Sequence, residues 1–175
     1  MTEPQPDPSQ QKAGQWMYYA AWASLLLLLF LYFSDREERA FNPNQDPNSR
    51  RFDQISEVVL QQNRGGHYVS SGYINLQPVV FFLDTGATTV AVPEPVARTL
   101  GLRRGREFEV HTANGIGRAY ATQLSSLQIG SIELYNIEAA IVPNMPGDEI
   151  LLGMSALRQL EFSQQGRELI LRQVN

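Results

Sequence analysis

The chain has 175 residues, a formal net charge of −4 and no cysteine. Disulfides, thiolate nucleophiles and cysteine zinc sites are thereby excluded, and two histidines, His67 and His111, are too few for a histidine-rich metal centre. The 14 Lys and Arg are scattered among 18 acids with no basic stripe, which argues against a nucleic-acid surface.

Residues 1–15, "MTEPQPDPSQQKAGQ", are rich in Pro, Gln and Ser and are expected as a disordered tail. Trp16 to Phe33, "WMYYAAWASLLLLLFLYF", then runs without a charge, at the lower limit of the roughly 17–25 residues a membrane helix needs, with Trp and Tyr near its ends. The run is too long for a typical signal-peptide core, and "YFSDREE" is a poor small-residue cleavage site, so an uncleaved single-span anchor is expected. Residues 34–62 are polar, with "NPNQDPNSRR" at their centre, and read as a linker that ends in a short helix over "FDQISEVVLQQ".

From residue 63 to residue 175 the pattern is that of strands. "RGG" opens a strand over His67 to Leu76, "NLQP" turns it, and Val79 to Leu83 returns as a buried strand. Thr88 to Val92 is a third apolar, β-branched stretch, and "PEPVARTLGL" is a short helix stopped by Gly101. Phe108 to Thr112 and Arg118 to Leu124 flank a hairpin tip in "ANGIG". Strands are predicted at Leu127 to Ile129, Ile132 to Val142 and Glu149 to Leu152, then a helix near Ser155 to Leu160 and a closing hairpin on "SQQGRE". Many short strands joined by glycine turns define an all-β barrel or sandwich with minor helix. A domain this small gains stability from self-association.

Within that pattern "VVFFLDTGATTVAVP" is anomalous, because an apolar run breaks to place Asp84 beside Thr85 and Gly86. Alone, Asp84 would read as an Asx-turn residue. With "HTANGIG" and "ILLGMSALRQL" following in order, the segment resembles the catalytic loop, flap and second apolar-apolar-glycine motif of retropepsin-like aspartic proteases, above all bacterial, membrane-anchored ones. The likeness covers about residues 66–171.

The resemblance implies a retropepsin-like closed β-barrel that hydrolyses peptide bonds with neither metal nor cofactor. One carboxylate takes a proton from water while a second, kept protonated by like-charge repulsion, donates to the carbonyl oxygen. Asp-Thr-Gly occurs once, so each chain supplies half of the dyad, and the enzyme it implies is an isologous homodimer with Asp84 from both subunits on the two-fold axis. By the same resemblance, Thr85 would cross-link the two loops, Gly86 would let amides approach the carboxylate, and Ala87 would leave it without a side-chain donor. Leu151, Leu152 and Gly153 would pack beneath the loop, with Gly153 leaving the room. Thr112, Ala113, Asn114 and Gly115 would close as a flap over an extended peptide or protein substrate.

Where viral members end in one short interface strand, this chain adds a hairpin, "FSQQGRELILRQV", so their interface does not transfer. His67 and His111 read as surface or strand-edge residues, Asp148 and Glu149 as a solvated loop, "RRGRE" as a solvated turn, Met145 and Met154 as packing, and Tyr68, Tyr73 and Tyr120 as core or groove aromatics. The alternative to an endopeptidase is a non-catalytic dimerisation or peptide-binding module on the same fold; a protease that cuts only itself in the Pro-rich linker is a third reading. Orientation rests on few charges: Lys12 before the span and Arg36 and Arg39 after it lean towards a cytoplasmic domain, whereas single-anchor bacterial proteins of this layout usually export theirs. A periplasmic domain on the inner membrane is expected.

Overall fold

A computed structural model describes residues 8–112 and 115–174. It comprises two compact units, one ending at Arg39 and the other beginning at Ala40. Helix α1 spans Pro8–Phe41, and its segment Trp16–Phe41 is long and apolar enough to cross a membrane, a property that a signal sequence shares. Its uncharged stretch, residues 16–33, is apolar on all sides, so no stripe directs it onto a protein core.

The second unit holds β1 (Asn48–Phe52), β2 (Ile55–Gln61), β3 (Val69–Ile74), β4 (Gln77–Leu83), β5 (Val90–Pro93), α2 (Glu94–Thr99), β6 (Glu107–Thr112) and β7 (Gly115–Ile129). It continues through β8 (Ile132–Val142), β9 (Ile150–Leu152), α3 (Met154–Leu157), β10 (Glu161–Gln165) and β11 (Glu168–Val174). A seven-stranded sheet runs β3-β4-β9-β5-β8-β7-β6, and a further pairing of Tyr73 with Gln128 and Ile74 with Leu127 joins β3 to β7. The expected barrel is therefore closed by two residue pairs only, and β6 projects beyond the closure with the end of β7. Phe81, Ile74, Leu124, Ile137, Ile141, Ile150 and Leu152 fill the interior. Where two strands were expected over Arg118 to Ile129, one 15-residue strand runs through, because the ladder with β8 skips only Ser125 and Asn136, the latter at φ of 55°, and resumes with Ser126 opposite Tyr135.

Residues 34–62 are neither a linker nor a site of a second helix: α1 continues to Phe41, and β1 and β2 belong to a four-stranded sheet of order β1-β2-β11-β10. In "ISEVVLQ" the apolar residues were too few to separate a 3.6-residue period from a two-residue one. Ser56, Val58 and Leu60 alternate inward, and β11, more than a hundred residues downstream, supplies Leu171 opposite Val58. Such a partner is invisible to local periodicity.

The stretch before β1 is fastened by asparagines. Asn44 is 3% exposed; its side-chain amide donates to the carbonyls of Gln61 at 2.9 Å and Val69 at 2.6 Å, and its Oδ1 accepts the Gln61 N–H at 2.7 Å. Its own carbonyl accepts the Ser71 N–H at 3.0 Å. Asn42 Oδ1 accepts the Asn44 N–H, and Asn63 donates to the Phe41 carbonyl, both at 3.0 Å. Asn44→Ala would strand the Gln61 N–H and two carbonyls inside the protein, so we expect it to cost about 2–4 kcal/mol in denaturant unfolding, with exposed Asn48→Ala close to neutral.

Candidate active site

Asp84 stands where β4 stops. Strand β4 runs parallel to β9, with Phe81, Phe82 and Leu83 opposite Ile150, Leu151 and Leu152. The ladder extends one residue further: the Asp84 N–H donates to the Leu152 carbonyl at 3.2 Å, while the Leu83 N–H donates to Tyr68 at 2.9 Å on the other side. The main chain of the aspartate is thus held between two neighbouring segments, and the chain turns sharply after it, with the Ala87 N–H donating to the Asp84 carbonyl at 3.2 Å.

The carboxylate is half-buried, and its Oδ1 accepts the Gly86 N–H at 2.9 Å. A Cβ on Gly86 would lie 3.1 Å from that oxygen, tight against the carboxylate, which fits the role expected of this glycine. Among the described residues no other donor reaches the Asp84 carboxylate, so Oδ2 is open to a ligand. Thr85 is exposed on the single chain and Ala87 is half-buried.

Gly153 holds the loop from below. A Cβ there would fall 2.3 Å from the Thr89 carbonyl oxygen and 2.7 Å from that of Ala87, closer than any real side chain could stand. The approach lets α3 begin directly under the loop: the Met154 N–H donates to the Ala87 carbonyl at 2.8 Å and the Ser155 N–H to that of Thr88 at 3.0 Å. Buried Ser155 adds a clamp the sequence reading missed, its Oγ accepting the Val90 N–H at 3.0 Å and donating to the Glu138 carbonyl at 2.7 Å. A serine inside an apolar helix is the signal that could have found it. Leu152 is buried and Leu151 half-buried on β9.

The hairpin β6–β7 stands where the flap was expected. Thr112 and Gly115 face each other in register at its end, Gly115 with φ of 109°; Ala113 and Asn114 lie outside the described residues. A cavity of about 510 Å³ lies between Ile116, Arg118 and Tyr120 of the hairpin and Pro143 and Asn144 after β8. "RRGRE" is more than a solvated turn, because Arg104 pairs with Glu94 at the start of α2 and lays its guanidinium 4.6 Å from the Tyr120 ring centre. Gly105 donates to the Ala121 carbonyl at 2.7 Å, so the base of the flap is braced while its end projects. His67 packs its ring against that of Phe82, with centroids 4.8 Å apart. Among the described residues no three His, Asp or Glu side chains gather as a metal site requires.

An all-β lobe with Asp-Thr-Gly at a strand end, a glycine crossing beneath it and a projecting hairpin has the features of an acid-protease lobe. Comparison with known proteins agrees: the family model described as "gag-polyprotein putative aspartyl protease" matches residues 70–159, just over half of the chain. The retropepsin-like aspartic protease of Rickettsia conorii, known from a crystal structure, superposes with a TM-score of 0.57 at 30% identity, over 73% of this chain and 96% of that one. The chain belongs to the retropepsin-like aspartic protease family. Among curated proteins it is 34% identical over 111 residues to the "Uncharacterized protein in cobV 5'region" of a Sinorhizobium species and 26% identical over 163 residues to "Uncharacterized protein RP867" of Rickettsia prowazekii. The matches cover 62% and 87% of this chain, which spans about half (48%) of the first relative and 68% of the second.

Gly153→Ala tests the crossing, since the added methyl group meets backbone oxygens that cannot swing aside. We expect a loss of more than about 3 kcal/mol of stability. A thermal unfolding midpoint equal to that of the parent would refute this account of the loop.

Proposed function

We propose that the protein is a membrane-anchored aspartic endopeptidase whose dyad forms from the Asp84 carboxylates of two identical chains. The observation that carries the proposal is a single carboxylate, fixed by backbone on both sides, with one oxygen held by Gly86 and the other open. A lone aspartate in this setting has no partner to share the second half of the acid–base work, whereas two related by a dyad axis share one proton and divide the roles.

In the assembled dimer one Asp84 is ionised and draws a proton from water as it attacks the scissile carbonyl; the other is protonated and donates to the developing oxyanion. Thr85, exposed on the single chain, reaches across the axis to the opposite loop. The flaps, with Thr112, Ala113, Asn114 and Gly115 at their ends, cover an extended peptide and exclude water. The apolar segment of α1 anchors each chain in the bilayer, with the folded unit on the periplasmic side of a bacterial inner membrane. Self-cleavage within residues 44–62 would sever the Asn44 clamp or strands β1 and β2, which argues against release of an intact domain by that route.

The test is cleavage of a diverse peptide mixture by the full chain in detergent micelles, from about pH 3 to 8, beside Asp84→Asn. We expect cleavage to fall on the order of a thousandfold in the variant with no loss of secondary structure. The profile of the parent should be a bell, since removing the shared proton at high pH leaves no acid and adding a second at low pH leaves no base. Equal cleavage by both proteins would eliminate the aspartic mechanism.

A further inference from the structure

We propose that the open edge of β10 is the seam of the homodimer, paired antiparallel with the same strand of a second copy about a two-fold axis at Ser163. The inference deepens the function proposed above and rests on it, because a site with one Asp84 is incomplete without that copy.

The smaller sheet has two unpaired edges, β1 and β10. They differ in how they are guarded. Strand β1, "NSRRF", carries Arg50 and Arg51, and pairing it with its own copy about Arg50 would set two guanidinium groups against each other. Strand β10, "EFSQQ", has every residue exposed, with neither lysine, arginine, proline nor bulge to repel another strand. Its Phe162 leaves 43% of its surface in water.

The register follows from the turn. Gln165 and Glu168 face each other across a two-residue turn begun by Gly166 at φ of 61°. The residues that close such a turn form a hydrogen-bonded pair, and bonding alternates from there along the ladder. Glu161, Ser163 and Gln165 therefore bond inward to β11, while Phe162 and Gln164 turn their N–H and C=O groups to the open edge. A two-fold axis at Ser163 sets Phe162 opposite the partner's Gln164 and Gln164 opposite the partner's Phe162, which makes four backbone hydrogen bonds. It also sets Glu161 opposite the partner's Gln165, so like charges do not meet.

The position in the chain suits the same assignment. Three residues, Arg158 to Leu160, link α3 to β10, and α3 begins at the amides bonded to the Ala87 and Thr88 carbonyls of the catalytic loop. The opposite edge instead meets the β7–β8 turn, where Arg51 donates to the Ser131 carbonyl at 3.2 Å. Of the two edges, β10 is the one joined to the loop that must approach its copy.

The absence of native cysteine provides a direct test. Directly opposed residues of a non-hydrogen-bonded antiparallel pair have Cα atoms about 4.5 Å apart, within disulfide reach. Ser163→Cys in the full chain in detergent micelles, under mild oxidation, should run as a covalent dimer on a non-reducing gel. Arg50→Cys should stay monomeric under the same treatment. Adding Gln164→Pro to the Ser163→Cys chain, which removes an outward N–H and leaves the bonds to β11 intact, should slow the cross-link at least tenfold. A chain that is dimeric by light scattering yet is not cross-linked at Cys-substituted position 163, one that cross-links as fast from position 50, or one that is monomeric throughout would overturn the assignment. Cross-linking reads contact and not turnover, so a linked dimer without cleavage would sustain the seam and sink the peptidase.

Discussion

The structure depends on one close backbone crossing. Gly153 passes under the loop that follows Asp84 at a distance no side chain would allow, and from that contact the nearby geometry follows. The crossing lets β9 run parallel to β4 up to the Leu152 carbonyl, which receives the Asp84 N–H, and lets the first amides of α3 reach the loop from below. Asp84 is therefore placed by peptide groups of two segments far apart in sequence, at Tyr68 and at Leu152 to Ser155. Backbone is stiffer than side chain, so the half-buried carboxylate keeps its direction without a salt bridge or a dedicated side-chain donor. Ser155 ties this arrangement to the sheet by joining Val90 of β5 to the carbonyl of Glu138 on β8.

How much of this was legible in the sequence depended on whether the signal was local. Asp-Thr-Gly at the end of an apolar run, and a glycine after Leu151 and Leu152, are short patterns whose signal lies within a few residues: the Gly86 N–H meets the Asp84 carboxylate, and Gly153 lies against the Ala87 and Thr89 carbonyls. The bounds of β8 were readable for the same reason, as a long alternating run between turn residues. The smaller sheet was not readable. Its inner strand β2 is flanked by β1 and β11, and β11 lies beyond the whole larger sheet in sequence. The asparagines that fasten the chain before β1 resemble linker residues by composition, since Asn next to Pro is usual in loops. Only burial separates an Asn that closes a backbone network from one that faces water. The flap brace was hidden similarly: Arg104 sits in a string of charges, and neither its ring partner nor its acid is a sequence neighbour.

The folded segment after α1 changes what the N-terminal region means. A polar stretch read as a linker implies no fixed structure between residues 34 and 62. Here hydrogen bonding into the folded unit begins at the carbonyl of Phe41, the last residue of α1, and Asn42 and Asn44 continue it. The smaller sheet takes β1 and β2 from the start of the folded unit and β10 and β11 from its end, so its stability couples the residues just after α1 to those that follow α3.

That coupling bears on why a half-site is a stable design. A single chain places one carboxylate at a strand end with an open oxygen, a modest desolvation cost since the group remains half-exposed. Bringing two such groups together adds like-charge repulsion, relieved by the shared proton that the chemistry requires. The repulsion must be outweighed by contacts elsewhere, and in a lobe of this size those contacts have to come from an extended surface rather than from the small loop around Asp84. A sheet completed within each chain, as β1-β2-β11-β10 is, would supply an edge for the purpose in the proposed dimer. In the proposed dimer each chain would contribute its own completed sheet, and the acid pair would exist only in the assembled enzyme.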